Sequence, residues 1–175
     1  MVAPYTRDMS ALDASLPLPV PAGVEGAALR DAEEIAERIA RDEAAADEAR
    51  QAYQSQGLPA IEPDGAADAI LHPGELLHAA HGSAMLEEPG LTDGAAHPRG
   101  GTLYLTSQRL VHTGAASTEL PLAEIDEMAV ALERLLLIRR RDGSDLAVEV
   151  DQPRLLRVQL AAAVAAERAR EVTQP

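Results

Sequence analysis

The stretch Gly100–Gly114, GGTLYLTSQRLVHTG, predicts a β-hairpin from which the rest of the fold can be placed. Aliphatic, aromatic and β-branched residues alternate on both sides of the polar step Ser107-Gln108, and glycines bound both ends. This pattern is typical of two short strands joined by a turn. We expect a core-facing side of the hairpin, because a two-residue turn would place four side chains on one face: Leu103, Leu105, Leu110 and His112.

The composition predicts one folded domain with an aliphatic core. The chain has 175 residues, a length that suits one domain with an appendage. Hydrophobic residues make up 46% of it, yet it contains three Tyr and no Phe or Trp, so Leu, Val, Ile and Ala must fill the core. Cysteine is absent, which excludes disulfides, thiolate metal ligands and cysteine nucleophiles.

The charge balance argues against two classes of partner. The net charge of −14 arises from 29 acidic and 15 basic residues, and every basic residue is an arginine. An acidic surface repels phosphate backbones and anionic headgroups, so we expect no nucleic-acid partner and regard a membrane surface as disfavoured. The N-terminus has no secretory signal pattern, and no apolar run reaches the roughly 20 residues that span a bilayer. We expect a cytoplasmic protein.

The first part of the chain predicts a tail, a helix and a linker. Four prolines and few apolar residues predict a disordered, proline-rich tail over residues 1–24. Residues 25–54 are rich in Ala, Glu and Arg with apolar residues at helical spacing, which predicts an amphipathic helix. Because its apolar stripe is mostly alanine, we expect the helix to dock on the following domain, pair with another copy or stay solvated. Glycines and prolines mark residues 55–69 as a linker.

Residues 70–172 predict a β-rich domain. Residues 75–86 contain two weak apolar runs broken at Gly82-Ser83, which we interpret as a first strand and the start of a second. Thr118–Leu122 predicts a short strand that its proline, Pro121, confines to an edge or an end of the sheet.

Two further features complete the predicted domain. Met128, Val130 and Leu132 alternate with their neighbours at the period of a half-buried strand. At the end of the chain, Asp151-Gln152 is a cap candidate before Pro153, which predicts a helix running to about residue 171.

A second hairpin is predicted around Asp142-Gly143, a dipeptide suited to the positive φ angles of tight turns. Leu135–Ile138 and Leu146–Val150 flank it as strands. The loop length decides which pair of residues in the first strand faces the core: Leu135 and Leu137 for a loop of two or four residues, or Leu136 and Ile138 for a loop of three.

The order of these elements resembles a known superfamily. Pro73-Gly74-Glu75 precedes the first strand, Gly101–Leu110 forms the central hairpin and Leu120–Ile125 follows it, before the second hairpin and the closing helix. Over roughly residues 70–170 the chain thus resembles GRAM and pleckstrin-homology-like (PH-like) domains, particularly the small bacterial type.

The resemblance implies an α+β fold: a bent, seven-stranded antiparallel sheet, closed as a barrel or sandwich, with a C-terminal capping helix. To this the chain adds its N-terminal helical extension. The resemblance also implies a non-catalytic module that binds lipid headgroups, peptides or other proteins. Lipid-binding members carry several basic residues near the loop between the first strands, whereas this chain has Glu87, Glu88 and Asp93 there.

Arginines supply the candidate ligand-binding residues. Arg139-Arg140-Arg141 is the one dense basic run and follows a strand, so that part of it, together with Arg99, could bind an anion. The alternative is a solvated hairpin tip that pairs with Asp142 or Asp145.

We expect no catalysis, no cofactor and no metal. The serines lack a nucleophile context, and the five histidines lack the spacing of a zinc motif. The leading hypothesis is a non-catalytic interaction module that binds a protein or peptide or serves in assembly. The alternatives are peripheral binding of an anionic lipid headgroup through Arg99 and Arg139–Arg141, and a structural homodimer formed through the N-terminal helix.

Overall fold

A computed structural model of the chain describes residues 22–87, 99–114 and 116–173. The predicted tail lies outside these ranges except for its last three residues, which begin the first helix. A short 3₁₀ turn, Leu122–Glu124, joins the fourth strand to the fifth. The helices and strands of the described residues are α1 Ala22–Gln56, α2 Gly65–Asp68, β1 Leu77–Glu87, β2 Arg99–Thr106, β3 Arg109–Gly114, β4 Thr118–Pro121, β5 Ile125–Ala131, β6 Leu135–Arg140, β7 Asp145–Glu149 and α3 Pro153–Thr173.

The seven strands form one antiparallel sheet in the order β4-β3-β2-β1-β7-β6-β5. β1 links the two halves of the sheet, because it pairs with β2 along most of its length and with β7 through its last three residues. β4 lies at one edge and ends at Pro121, as the proline predicts. With α3 packed on the sheet through Leu156 and Leu160, the predicted α+β fold of one seven-stranded antiparallel sheet and a C-terminal helix is confirmed.

The hairpin β2–β3 has the register that its two-residue turn predicts. Leu103 pairs with His112 and Leu105 with Leu110, and all four side chains are buried. Leu103, Leu105 and Leu110 join a main core whose buried members are all Leu, Ile, Val or Ala, drawn mostly from the sheet and α3. Each fully buried aliphatic side chain of this kind contributes about 1.5–3 kcal/mol to folding.

Gly101 allows β2 to approach its neighbour closely. A Cβ atom at this position would lie 1.7 Å from the Thr113 carbonyl oxygen and 2.9 Å from Nε2 of His112. Nε2 itself donates a hydrogen bond to the Ala84 carbonyl oxygen over 3.3 Å. The histidine is therefore a core residue that reaches β1 across a strand where only glycine fits.

The hairpin β6–β7 closes with Arg140 opposite Ser144, which leaves a loop of three residues, 141–143. The Arg140 N–H donates to the Ser144 carbonyl oxygen at 2.8 Å, and Gly143 adopts a φ of +85° inside the loop. This register places Leu136 and Ile138 in the core, opposite Val148 and Leu146. Of the two arrangements considered for this hairpin, the three-residue loop is the one observed, and the placement of Leu135 and Leu137 on the inner face is wrong.

Two details of the predicted strands are also wrong. β1 is a single strand through Gly82-Ser83, because an irregularity between His81 and Ala84 absorbs the break while the pairing with β2 continues. Leu132 does not extend the inward alternation of Met128 and Val130. It lies in the turn after β5 with a φ of +58° and is 83% exposed.

The predicted linker covers part of the outer face of the sheet. The Asp64 carboxylate caps α2 by accepting hydrogen bonds from the backbone of Ala66 and Ala67 at 3.1 and 2.7 Å. A second, smaller apolar cluster results, with its members drawn from α2, the residues after it and three strands: Ala67, Ile70, Leu71, Leu77, Tyr104 and Val111.

Candidate binding groove between two helices

Arg109 on β3 forms a buried ion pair that joins two motifs of the sequence. Its Nε and Nη2 atoms donate to the two carboxylate oxygens of Glu75 at 3.1 and 3.0 Å, the bidentate geometry that guanidinium favours. Nη2 also donates to the Ile70 carbonyl oxygen at 2.7 Å, and Nη1 pairs with Glu119 on β4. The side chain of Arg109 is 7% exposed and that of Glu75 is fully buried.

The ion pair between Glu75 and Arg109 has a structural role. Burial by itself would raise the pKa of Glu75, but hydrogen bonds from Arg109, the His72 backbone and the Thr106 hydroxyl outweigh it and lower the pKa to about 2. The hydrogen bond to Glu75 in turn raises the pKa of Arg109. The guanidinium is thus occupied by protein groups. The sequence contained both motifs, Pro73-Gly74-Glu75 and the hairpin, but nothing local shows that they touch.

The three consecutive arginines Arg139–Arg141, predicted as a possible anion site, lie in different surroundings in the structure. Arg139 donates to Asp145 at 3.1 Å and lies 3.8 Å from a carboxylate oxygen of Glu127. Arg140 follows it in the same strand and therefore projects to the opposite face of the sheet. Arg141 is exposed in the turn. The side chain of Arg99, at the start of β2, lies outside the described residues.

Helix α1 docks on the start of α3 through Asp42. The buried Asp42 carboxylate accepts hydrogen bonds from the backbone N–H groups of Arg154 and Leu155 at 2.9 and 3.0 Å. It thus satisfies two of the unpaired donors at the N-terminus of α3 and offsets the helix dipole there. Asp151, the cap candidate of the sequence, instead pairs with Arg134 at 2.9 Å.

A stripe of small residues continues this contact along α1. Ala46 and Ala49 are buried, and Tyr53 is half-buried one turn further on. The spacing of 42, 46, 49 and 53 keeps these positions on one face of the helix. From residue 35 onward, docking on the domain is therefore the arrangement that the structure shows among the three that the sequence left open.

Alanine is too small to fill the space between the two helices, and a groove remains beside the contact. It consists of two adjoining clefts of about 360 and 340 Å³ that share Arg50, Arg157 and Val158. We call this the α1–α3 groove. The remaining lining residues are Tyr53, Gln54, Ala161 and Ala162 in the first cleft and Glu43, Ala46, Asp47, Val130 and Arg154 in the second.

The three arginines of the groove differ in their partners. Arg154 is 3.6 Å from Asp42 and 3.4 Å from Glu43, and Arg50 forms an exposed ion pair with Asp47. Within the described part of the chain, Arg157 makes no hydrogen bond or ion pair and is exposed. Its guanidinium is free to donate two parallel hydrogen bonds to a carboxylate. No local pattern in the sequence indicated this site, because α1 and α3 are far apart in the chain.

Two other kinds of feature are absent from residues 22–87, 99–114 and 116–173. No group of three or more histidine, aspartate or glutamate side chains could hold a metal ion there. None of the helices in those ranges is both long and apolar enough to cross a membrane.

No protein-family model and no curated protein matches the chain. Its similarity to solved structures concerns the fold. The Vps36 N-terminal PH domain aligns with 58% of this chain and 86% of its own length, at a TM-score of 0.43 and 17% identity. The N-terminal PH domain of human ARAP2 aligns with 54% and 87%, at 0.37 and 10% identity. The hSac2 domain from human phosphoinositide phosphatase Sac2 aligns with 62% and 78%, at 0.38 and 11% identity.

Proposed function

We propose that the chain is a non-catalytic binding module that binds a segment of another protein in the α1–α3 groove. The observation that carries this proposal is the groove itself, an open cleft lined by alanine, valine and tyrosine side chains together with one arginine from each helix. Binding sites commonly combine an apolar surface with a few polar groups that fix orientation.

The shape of the groove favours a polypeptide over a compact small molecule. The α1 residues that line it run from Glu43 to Gln54. At 1.5 Å per residue, this span is about 16 Å, or three turns of helix. A helical or extended segment of a partner can follow such a groove, and helix-in-groove recognition is a recurrent mode of peptide binding.

A photo-crosslinking experiment tests the proposal. Ala161 lines the groove and is exposed, whereas Ala44 is an exposed residue of α1 that does not line it. With p-benzoylphenylalanine at either position in the native cell, we expect a protein adduct at position 161 alone, identified by mass spectrometry. The adduct should disappear when Ala162→Glu is added. Equal adduct yields at both positions, or an adduct indifferent to Ala162→Glu, would contradict the proposal.

Headgroup binding through Arg99 and Arg139–Arg141 stays a prediction. An anion at Arg139 would compete with Asp145 and Glu127 for the same guanidinium. Binding of the chain to anionic liposomes tests this function. Binding at low salt that vanishes at physiological salt would favour headgroup binding, whereas absence of binding at low salt would exclude it.

Homodimer formation through α1 also stays a prediction. Light scattering on the full chain and on a chain that starts near residue 66 tests it, and monomer masses for both would exclude it.

A further inference from the structure

We infer that the partner segment is an acidic amphipathic helix that places an apolar side chain one helical turn from a carboxylate. This inference rests on the proposed function, because it specifies what the α1–α3 groove binds. The distribution of side chains along the groove supports it.

The first cleft contains cations and apolar groups but no carboxylate. Its charged lining residues are Arg50 and Arg157, one from each wall, and the others are Tyr53, Gln54, Val158, Ala161 and Ala162. Carboxylates line the groove only at its other end, where Glu43 and Asp47 lie near Arg154. A ligand that follows the groove therefore meets an apolar end, then two arginines, then a mixed end.

Arg157 makes an acidic ligand more favourable than a neutral one. It has no hydrogen-bonding or ionic partner among the residues that the structure describes, and Arg50 is engaged only by the exposed Asp47, a pair worth about 0–1 kcal/mol. A carboxylate between the two walls would gain charge-assisted hydrogen bonds from both. The net charge of −14 disfavours an acidic segment elsewhere on the surface.

The spacing of the lining residues defines the spacing within the ligand. Tyr53 follows Arg50 by three residues on α1, and Ala161 follows Arg157 by four on α3. The apolar and cationic positions are thus about 4.5 Å apart along the axis of α1 and about 6 Å apart along that of α3. A helical ligand matches this separation when its apolar residue and its Asp or Glu are three or four residues apart.

A displayed library of 16-residue helical peptides with randomised surface positions tests the inference, with the full chain as bait. We expect enriched peptides to carry Leu, Ile or Phe three or four residues from Asp or Glu. Arg157→Glu should weaken their binding about tenfold to a hundredfold. Arg30→Glu, the same change at an exposed arginine outside the groove, should leave binding unchanged. Exchange of the peptide's acidic residue for lysine should restore binding to the Arg157→Glu variant.

The Ala161→Glu variant separates failure of this inference from failure of the proposed function. Peptides that lack the acidic residue, or that bind the Arg157→Glu variant normally, would overturn the inference. If Ala161→Glu still abolishes their binding while Ala44→Glu does not, the groove remains the binding site. Absence of enrichment, or binding that is indifferent to Ala161→Glu, would overturn both.

Discussion

Replacing Glu75 by glutamine is expected to lower the free energy of unfolding by about 3 kcal/mol at pH 7. The ordinary pKa of this carboxyl is 4.5 and its pKa in the folded protein is about 2. Each pKa unit corresponds to about 1.4 kcal/mol, which gives the magnitude. Breaking a buried ion pair by removing one partner typically costs about 3–5 kcal/mol, and the remaining pairing of Arg109 with Glu119 places the expected cost at the lower end of that range.

The effect should depend on pH with a defined sign. Because folding lowers the pKa of Glu75, its stabilisation is complete above pH 4.5 and is lost as the pH falls toward 2. The difference in unfolding free energy between the wild-type protein and Glu75→Gln should therefore shrink from about 3 kcal/mol at pH 7 to about 1 kcal/mol near pH 3.

Urea unfolding followed by far-UV circular dichroism measures these values, provided that the m-values of the variants agree. Glu119→Gln is the matched control, because Glu119 pairs with the same arginine but its side chain is 52% exposed. We expect this control to cost at most about 1 kcal/mol. A cost of Glu75→Gln no larger than that of Glu119→Gln, or a cost that is the same at pH 7 and pH 3, would contradict this prediction.

Three further substitutions test the packing by the same unfolding measurement. Asp42→Ala should cost about 1–2 kcal/mol because it removes the carboxylate at the start of α3, whereas Asp47→Ala on the exposed face of α1 should stay within about 0.5 kcal/mol; equal effects would contradict the capping role. Gly101→Ala should cost more than about 2 kcal/mol because its Cβ would overlap a backbone carbonyl oxygen at 1.7 Å, whereas Gly82→Ala, with open space around it, should be tolerated. Leu132→Asn should raise stability by about 0.5 kcal/mol because asparagine accepts a φ of +58° more readily than leucine, and a loss of stability would refute this.

Short-range patterns predicted the parts of the fold that short-range physics controls. The alternation around Ser107-Gln108 predicted both the register of β2–β3 and the burial of His112, because a two-residue turn leaves one possible pairing. Asp142-Gly143 located the second hairpin but not its register, since the same dipeptide suits loops of two to four residues. In the folded protein, the hydrogen bonds between β6 and β7 correspond to a loop of three residues.

The candidate site could not be predicted in the same way. The arginine run was visible because its members are adjacent in sequence, yet adjacency in a strand points Arg139 and Arg140 to opposite faces. The α1–α3 groove combines side chains from two helices about 100 residues apart in the chain, and its free cation, Arg157, is an ordinary helix residue in the sequence.

Residue spacing and turn chemistry, which act within a few positions, predicted the hairpin β2–β3, the aliphatic core and the closing helix, whereas the count of seven strands followed from the family resemblance. The pairing of Glu75 with Arg109, and the capping by Asp42 of a helix 112 residues further along the chain, arise only when the chain folds. The physical reason is that a buried carboxylate is stable only beside donors of suitable geometry, and the folded backbone, not the local sequence, brings those donors to it.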